Sequence, residues 1–279
     1  MSVVVSQVKL LVLDVDGTIL TSEHRISPAT RRAVEGLVDR GVSVVLASSR
    51  GPAGLRPVMS DLGVSGFAVA YQGALICRLS PDTLAPDETL IETSISLQTA
   101  RTVFRAARTK GLSVGWHAAE VWYVPEIDAA IRREAGITGQ TPVVADLEQI
   151  QEEPHKVLCV AGEPSLMPKL RRLVDFVPEE CTGHFSHYNY LEITRREANK
   201  ASALEVLGKQ LGVSLDEMAA IGDGENDAAM LREAGLGIAM GQAPPPVKDL
   251  ADWVTESNDR NGIAAAVERL LAEGHIPVS

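Results

Sequence analysis

These 279 residues read as an α/β protein, a core with a mainly parallel sheet between helical layers, interrupted by an inserted α+β block. Apolar runs of strand length alternate with helical patterns over residues 7–71 and again from 200 onward, which is the signature of βαβ units. Between these stretches the alternation breaks at Ser80-Pro81-Asp82-Thr83-Leu84-Ala85-Pro86-Asp87, which reads as a linker. The two clearest strand ends each run into a Gly-containing acidic turn, at the edge where open parallel sheets bind ligands.

Val8-Lys9-Leu10-Leu11-Val12-Leu13 predicts a buried first strand near 7–13. Ser27 followed by Pro28 predicts the N-cap and first residue of a helix over 28–40, ended by Gly41. Val42–Ala47 is a second buried strand, followed by a helix over 52–62 and a strand over 67–71. Beyond the linker come a strand over 88–93, a helix over 97–110, strands over 112–116 and 120–124, and a helix over 126–135. Strands over 156–161 and 182–193 close that block. From Asn199-Lys200 a helix runs to about 211, and Ser214-Leu215-Asp216-Glu217 fits a capping box. A strand then leads to a helix over 228–234, with Gly235 as its C-cap. Pro244-Pro245-Pro246 reads as a rigid turn. The core is therefore expected over 1–82 and 191–279, and the insert over 83–190. Most of the Trp and Tyr residues fall in the insert, and such amphipathic rings suit the lining of a small-molecule pocket.

The formal net charge of −11, from 26 Lys and Arg against 37 Asp and Glu, argues against nonspecific nucleic-acid binding and against anionic membrane surfaces. No run approaches ~18 apolar residues, so no membrane span is expected. The N-terminus lacks a basic segment followed by an apolar one, so no secretory leader is expected. Cys77, Cys159 and Cys181 are dispersed and read as reduced packing residues. Together these features predict a cytoplasmic protein. His184 and His187 lie three apart in a strand-like stretch, a spacing that sends them to opposite faces rather than to one metal.

Chemistry concentrates in two segments. Asp14-Val15-Asp16-Gly17-Thr18 ends the first strand with two carboxylates and a glycine that permits a tight turn. The same residues also suit an ordinary solvated turn. Gly222-Asp223-Gly224-Glu225-Asn226-Asp227 repeats the pattern at a later strand end and runs into a helix. In a parallel sheet these ends share one crevice, which brings Asp14, Asp16, Asp223 and Asp227 together. Four carboxylates repel unless a cation is present, and an all-oxygen set suits Mg²⁺. Lys200 opens a helix, where its charge opposes the helix dipole; that unfavourable placement points to a functional role.

Asp14–Thr18 and Gly222–Asp227 resemble the first and fourth motifs of the haloacid dehalogenase-like (HAD) hydrolases. The tail, from Ile238-Ala239-Met240-Gly241-Gln242-Ala243 through Asn258-Asp259-Arg260-Asn261-Gly262-Ile263, resembles their Cof-type branch. The resemblance implies a Rossmann-like three-layer core with a large inserted cap that sets substrate choice. It implies Asp14 as the nucleophile that forms an aspartyl-phosphate, Asp16 as the proton donor and acceptor, and Lys200 as a neutralising cation. It implies Mg²⁺ on Asp14, the Asp16 carbonyl, Asp223 and Asp227. Ser48 and Ser49, with Gly17 and Thr18 of the first turn, would hold the phosphate, and Asn226 would bind either phosphate or Lys200. This sequence carries Ser48-Ser49-Arg50 where many relatives carry Thr-Gly-Arg, and Ala201 where Gly often follows the lysine. The activity implied is Mg²⁺-dependent hydrolysis of a small phosphorylated metabolite, a sugar phosphate or a cofactor-type phosphate. A sugar phosphomutase and a non-enzymatic phosphometabolite-binding regulator are the alternatives; the presence of both Asp14 and Asp16 favours turnover. The oligomeric state is open on sequence.

Overall fold

The computed structural model describes residues 7–80, 83 and 85–276. The reading of the N-terminus as leaderless, and the linker positions Pro81, Asp82 and Leu84, lie outside the described residues. The chain opens with β1 (Leu10–Asp14), α1 (Pro28–Val38), β2 (Ser43–Ala47), α2 (Pro52–Leu62) and β3 (Gly66–Ala70). Ser27 caps α1 as expected, its Oγ accepting from the Thr30 N–H at 3.1 Å. After β3 the chain passes through three left-handed residues, Tyr71, Gln72 and Gly73 (φ 51°, 62° and 104°), which reverse it. The strands β4 (Leu75–Leu79) and β5 (Glu88–Glu92) therefore run antiparallel. β4 is not apparent in the sequence pattern, because a reversal through non-glycine left-handed residues carries no turn signature.

The next elements are α3 (Leu97–Thr109), β6 (Ser113–Ala118), β7 (Val121–Val124), α4 (Ala129–Thr138), β8 (Val143–Val144), β9 (Lys156–Val160) and α5 (Met167–Leu173). The single strand expected over 182–193 is instead a hairpin, β10 (Cys181–His187) and β11 (Tyr190–Arg195). Asn189 sits at its reversal, its amide donating to the Ala161 carbonyl at 3.1 Å. The chain ends with α6 (Lys200–Leu211), β12 (Met218–Gly222), α7 (Ala228–Glu233), β13 (Leu236–Ala239), α8 (Pro245–Lys248), β14 (Trp253–Val254) and α9 (Gly262–Ala272). The prolines expected to form a turn cap and begin the short helix α8, since their fixed φ suits a helix's first positions.

Two sheets result. The larger has the order β14-β13-β12-β1-β2-β3-β4-β5 and is parallel from β14 to β3. The smaller has the order β10-β11-β9-β6-β7-β8 and is antiparallel except for its β7–β8 edge. The change of sheet falls after Glu92 and again after Arg195, whereas the insert was expected over 83–190. In β1 the alternation of side chains sends Leu11 and Leu13 to one layer and Leu10 and Val12 to the other. The first layer holds Val34 and Leu37 of α1, Leu55 and Met59 of α2, and Ala266 and Leu270 of α9. The second holds Ala203, Leu204 and Leu207 of α6 with Met230 and Leu231 of α7. On the smaller sheet Val157, Cys159, Leu191 and Ile193 pack under α3 and α5. Lys156, Glu192 and His117 have the opposite parity and face the other way.

Gly235 does not cap α7. The C-cap is Ala234, and Gly235 has no left-handed φ. It is required for another reason: a Cβ there would lie 2.6 Å from the Asp216 Cα and 2.7 Å from the Leu215 carbonyl oxygen. Backbone, unlike a side-chain tip, cannot move aside cheaply. Gly235→Ala is therefore expected to cost about 1–3 kcal/mol. Gly36→Ala, in α1 with only the Arg40 side chain within 4 Å, is expected to gain about 0.5–1 kcal/mol. Denaturant melts of the two variants check this; equal effects would show that close approach is not what Gly235 provides.

Candidate active site

The parity of β1 decides where Asp14 points. It follows Leu10 and Val12, so its side chain faces the α6 layer. Asn199 caps α6, its Oδ1 accepting from the Ser202 N–H at 2.8 Å, and this fixes Lys200 as the first helical residue. The Lys200 side chain is fully enclosed and runs to the end of β1. Its ammonium donates to Asp14 Oδ1 at 2.5 Å and to Asp227 Oδ1 at 2.6 Å. Burial pulls the Lys200 pKa down, but the two carboxylates more than offset it and the net shift is upward.

Asp227 is equally occupied on its other oxygen, which accepts from the Asp223 N–H at 3.0 Å and the Gly224 N–H at 2.9 Å. That carboxylate folds the acidic loop back on itself. Gly222 makes room for it, since a Cβ there would sit 2.6 Å from the Asp227 Cβ. Gly17 does the same for Asp223: its φ is +84°, and a Cβ would lie 2.4 Å from Asp223 Oδ2. One oxygen each of Asp14, Asp223 and Asp227 lie within 4.8 Å of one another. Asp14 Oδ2 is buried and has no partner. Three carboxylates gathered at one strand end, an all-oxygen donor set, fit a hard divalent cation such as Mg²⁺. Burial first, and then repulsion from Asp227, push the Asp14 pKa well up and the Asp223 pKa to about 6.

Asp16 departs from the expected cluster. Its carboxylate lies outside the group of three and is gripped by Arg50, whose Nε and terminal nitrogen donate at 2.8 and 2.6 Å. Ser48 and Ser49 follow β2, next to the end of β1. Ser48 Oγ accepts from the Arg50 N–H at 3.1 Å. Ser49 has no left-handed φ, so nothing there demands glycine. Thr18 is tied into the two turns: its hydroxyl donates to Asp223 Oδ1 at 3.4 Å and its N–H to the Val15 carbonyl at 3.3 Å. Gly17 contributes its carbonyl to Gln242 Nε2 at 2.5 Å. Asn226 does not hold Lys200. Its amide donates to Gln72 Oε1 at 3.2 Å, while the ammonium donates to Asp14 and Asp227.

Beside Asp16 a cavity of about 530 Å³ opens between the two sheets. Arg50, Glu134, Lys156, Asn189, Tyr190 and Glu192 are among its lining. Lys156, Glu192 and Gln72 are not singled out by sequence motifs, and Gln242 lies in the tail motif without a role assigned to it. For Lys156 and Glu192 the signal was a single charge in an otherwise apolar stretch: Lys156 heads Val157-Leu158-Cys159-Val160, and Glu192 stands between Leu191 and Ile193. His184 and His187 straddle a bulge in β10, and His187 Nδ1 pairs with Asn189 Oδ1 at 2.6 Å. No helix among the described residues is long and apolar enough to cross a membrane.

The raised Asp223 pKa carries a sign. An acid whose folded pKa exceeds its unfolded value binds more protons when folded, so stability falls as pH rises between the two values. In metal-free protein, Asp223 should therefore destabilise the fold increasingly between about pH 4 and 6. Asp223→Asn is expected to raise the melting temperature of metal-free protein above pH 6, with little gain near pH 4. Thermal melts across that range in EDTA check it, and a gain independent of pH would count against the electrostatic cause.

Comparison with known proteins agrees with this geometry. The family model for haloacid dehalogenase-like hydrolases matches residues 11–267. The HMP-PP phosphatase of Serratia proteamaculans is 30% identical over 87% of this chain and 87% of its own length. The phosphatase YwpJ of Bacillus subtilis is 27% identical over 94% of this chain and all of its own. A solved haloacid dehalogenase-like hydrolase from Bacteroides thetaiotaomicron superposes with a TM-score of 0.84 at 30% identity, covering 95% of this chain and 100% of that one. The expected α/β core and the expected kinship both stand, and this chain belongs to the haloacid dehalogenase-like hydrolases.

Proposed function

We propose that this protein is a Mg²⁺-dependent phosphomonoester hydrolase that works through an aspartyl-phosphate on Asp14. The observation that carries the reading is the buried Lys200 bridge between Asp14 and Asp227, which leaves Asp14 Oδ2 without a partner at the strand end. That oxygen is positioned as a nucleophile rather than as half of a closed ion pair. Asp14, Asp223 and Asp227, with the Asp16 carbonyl, would hold the cation, whose charge would keep the carboxylates ionised and reduce their repulsion of an anionic substrate.

In the first step Asp14 forms a bond to phosphorus while the ester oxygen departs. Asp16 supplies the proton that the leaving alkoxide needs, and then takes one from the water that attacks the aspartyl-phosphate. The Arg50 fork sets the direction of the Asp16 carboxylate, at the mouth of the cavity where a leaving group would sit. Lys200 neutralises charge that builds on the phosphoryl oxygens. Ser48 Oγ already accepts from the Arg50 N–H, so its own proton is free to donate to a phosphoryl oxygen.

The smaller sheet and its helices act as a cap. A cavity of about 530 Å³ suits a small metabolite, and its charged and hydroxyl-bearing lining suits a hydroxylated one. The Serratia relative is named for HMP-PP, and a Bacillus subtilis relative for 5-amino-6-(5-phospho-D-ribitylamino)uracil. Substrates of that kind, small phosphorylated metabolites, are the class proposed here.

Asp14→Asn preserves shape and removes the nucleophile. Turnover of p-nitrophenyl phosphate with Mg²⁺ is expected to fall more than about 10²-fold, about 2.7 kcal/mol of barrier. Retention above a tenth of wild-type kcat, with the fold intact by circular dichroism, would overturn the assignment. EDTA is expected to abolish turnover and Mg²⁺ to restore it, with Asp223→Asn shifting the half-saturating Mg²⁺ concentration upward. Full turnover in metal-free buffer would refute the metal requirement.

A further inference from the structure

The cap does more than cover the cavity. Lys156 starts β9 and Glu192 lies in β11, on the face of the smaller sheet opposite α3 and α5. Both are almost fully buried, and they pair at 3.3 Å. Ser186 Oγ donates to the same Glu192 oxygen at 2.9 Å. The Lys156 ammonium also crosses to the other sheet's loops and donates to the Ser49 carbonyl at 2.8 Å.

That contact fixes a peptide unit. In a trans peptide the carbonyl and the next N–H point in opposite directions. The Ser49 carbonyl is held by Lys156 on one side, and the Arg50 N–H is held by Ser48 Oγ at 3.1 Å on the other. Turning this peptide would release Ser48 Oγ from its fixed rotamer and displace the Arg50 side chain from Asp16. Other polar groups of the turn are stitched to the end of β3 and the residues after it: Ser48 N–H to the Val69 carbonyl, Gln72 N–H to the Ser48 carbonyl, and Tyr71 N–H to the Arg50 carbonyl, at 2.8 to 3.0 Å. The Ser49 carbonyl instead is held by a cap side chain. The other end of the pair reaches the second loop. Gln72 Nε2 donates to Glu192 Oε2 at 3.3 Å, and Asn226 Nδ2 donates to Gln72 Oε1 at 3.2 Å.

We propose that Lys156, held by Glu192, is a positioning residue for phosphoryl transfer: from the cap it sets the Ser49–Arg50 peptide and through it Ser48 and the Arg50–Asp16 pair. The cap thereby completes the catalytic site for every substrate, in addition to choosing among them. This rests on the reading of Ser48 as a phosphate ligand.

Lys156→Met tests it on p-nitrophenyl phosphate with Mg²⁺, a substrate whose good leaving group makes little use of a pocket. The kcat is expected to fall about 10- to 100-fold, and inhibition by inorganic phosphate to weaken in parallel. In a Ser48→Ala background the same change is expected to cost less than about threefold further, because loss of the Ser48 hydroxyl already frees the Arg50 N–H end of the peptide that Lys156 holds. Lys156→Met alone leaves Glu192 buried and unpaired, so Lys156→Met/Glu192→Gln is measured beside it, with the same expectation. A variant with a lowered melting temperature but unchanged kcat and phosphate inhibition would show a purely structural strut and overturn the proposal. So would losses that add fully to those of Ser48→Ala. So would a KM effect confined to larger phosphomonoesters with p-nitrophenyl phosphate unaffected. If Ser48→Ala itself leaves turnover and phosphate inhibition intact, the fault lies in the Ser48 reading; if Ser48→Ala is impaired and Lys156→Met is not, it lies in this proposal alone.

Discussion

The Lys200 ammonium, enclosed between Asp14 and Asp227, is the interaction on which the rest of the site depends. All three groups are buried, so none is solvated by water and each requires the others. Removing the cation would leave two carboxylates facing each other in a low-dielectric interior. The bridge also has topological weight. Lys200 is the residue at which the chain, having completed β11 in the smaller sheet, re-enters the larger fold through α6. One lysine therefore fixes both the carboxylate arrangement at the end of β1 and the point of return from the smaller sheet.

The surrounding turns are built to hold carboxylates still. Asp227 gives one oxygen to Lys200 and the other to two backbone N–H groups of its own loop. Thr18 and Gln242 hold Asp223, and Gln242 is itself anchored on Gly17 and Asn258. Preorganisation of this kind means little has to move when a phosphoryl group arrives. The cost is repulsion among the carboxylates, visible in the raised pKa values of Asp14 and Asp223, and a cation would relieve it.

Charge on the cavity side is arranged differently. There two charges are paired with neighbours of opposite sign, Arg50 with Asp16 and Lys156 with Glu192. Paired in this way they offer hydrogen bonds without a strong net field, in contrast to the anionic cluster a few residues away. Arg56 on α2 and Glu120 between β6 and β7 form a further pair across the same boundary, and the Tyr71 hydroxyl donates to the Ala119 carbonyl at 2.7 Å. The two sheets are thus joined by directional polar contacts more than by a shared apolar core, and their apolar clusters are separate.

What local sequence determined is what local physics controls. The apolar run Leu10-Leu11-Val12-Leu13, the Ser27-Pro28 cap and the glycines beside Asp16 and Asp223 specify strands, helix starts and acidic turns from neighbouring residues alone. They were enough to read the parallel core, the convergence of Asp14 and Asp223, and the odd placement of Lys200. Tertiary structure decided what depends on residues far apart. Lys200 pairs with Asp14 across 186 positions, and Lys156 reaches Ser49 across 107. Asp16 left the carboxylate cluster because Arg50, 34 residues away, offered it a bidentate partner. Thr18 and Asn226 donate to Asp223 and Gln72, residues 205 and 154 positions away. Gly235 was needed for the approach of Leu215 and Asp216 and not for its own φ. A motif states which groups reach a strand end; which neighbours claim their hydrogen bonds is settled only when the second sheet packs over the first.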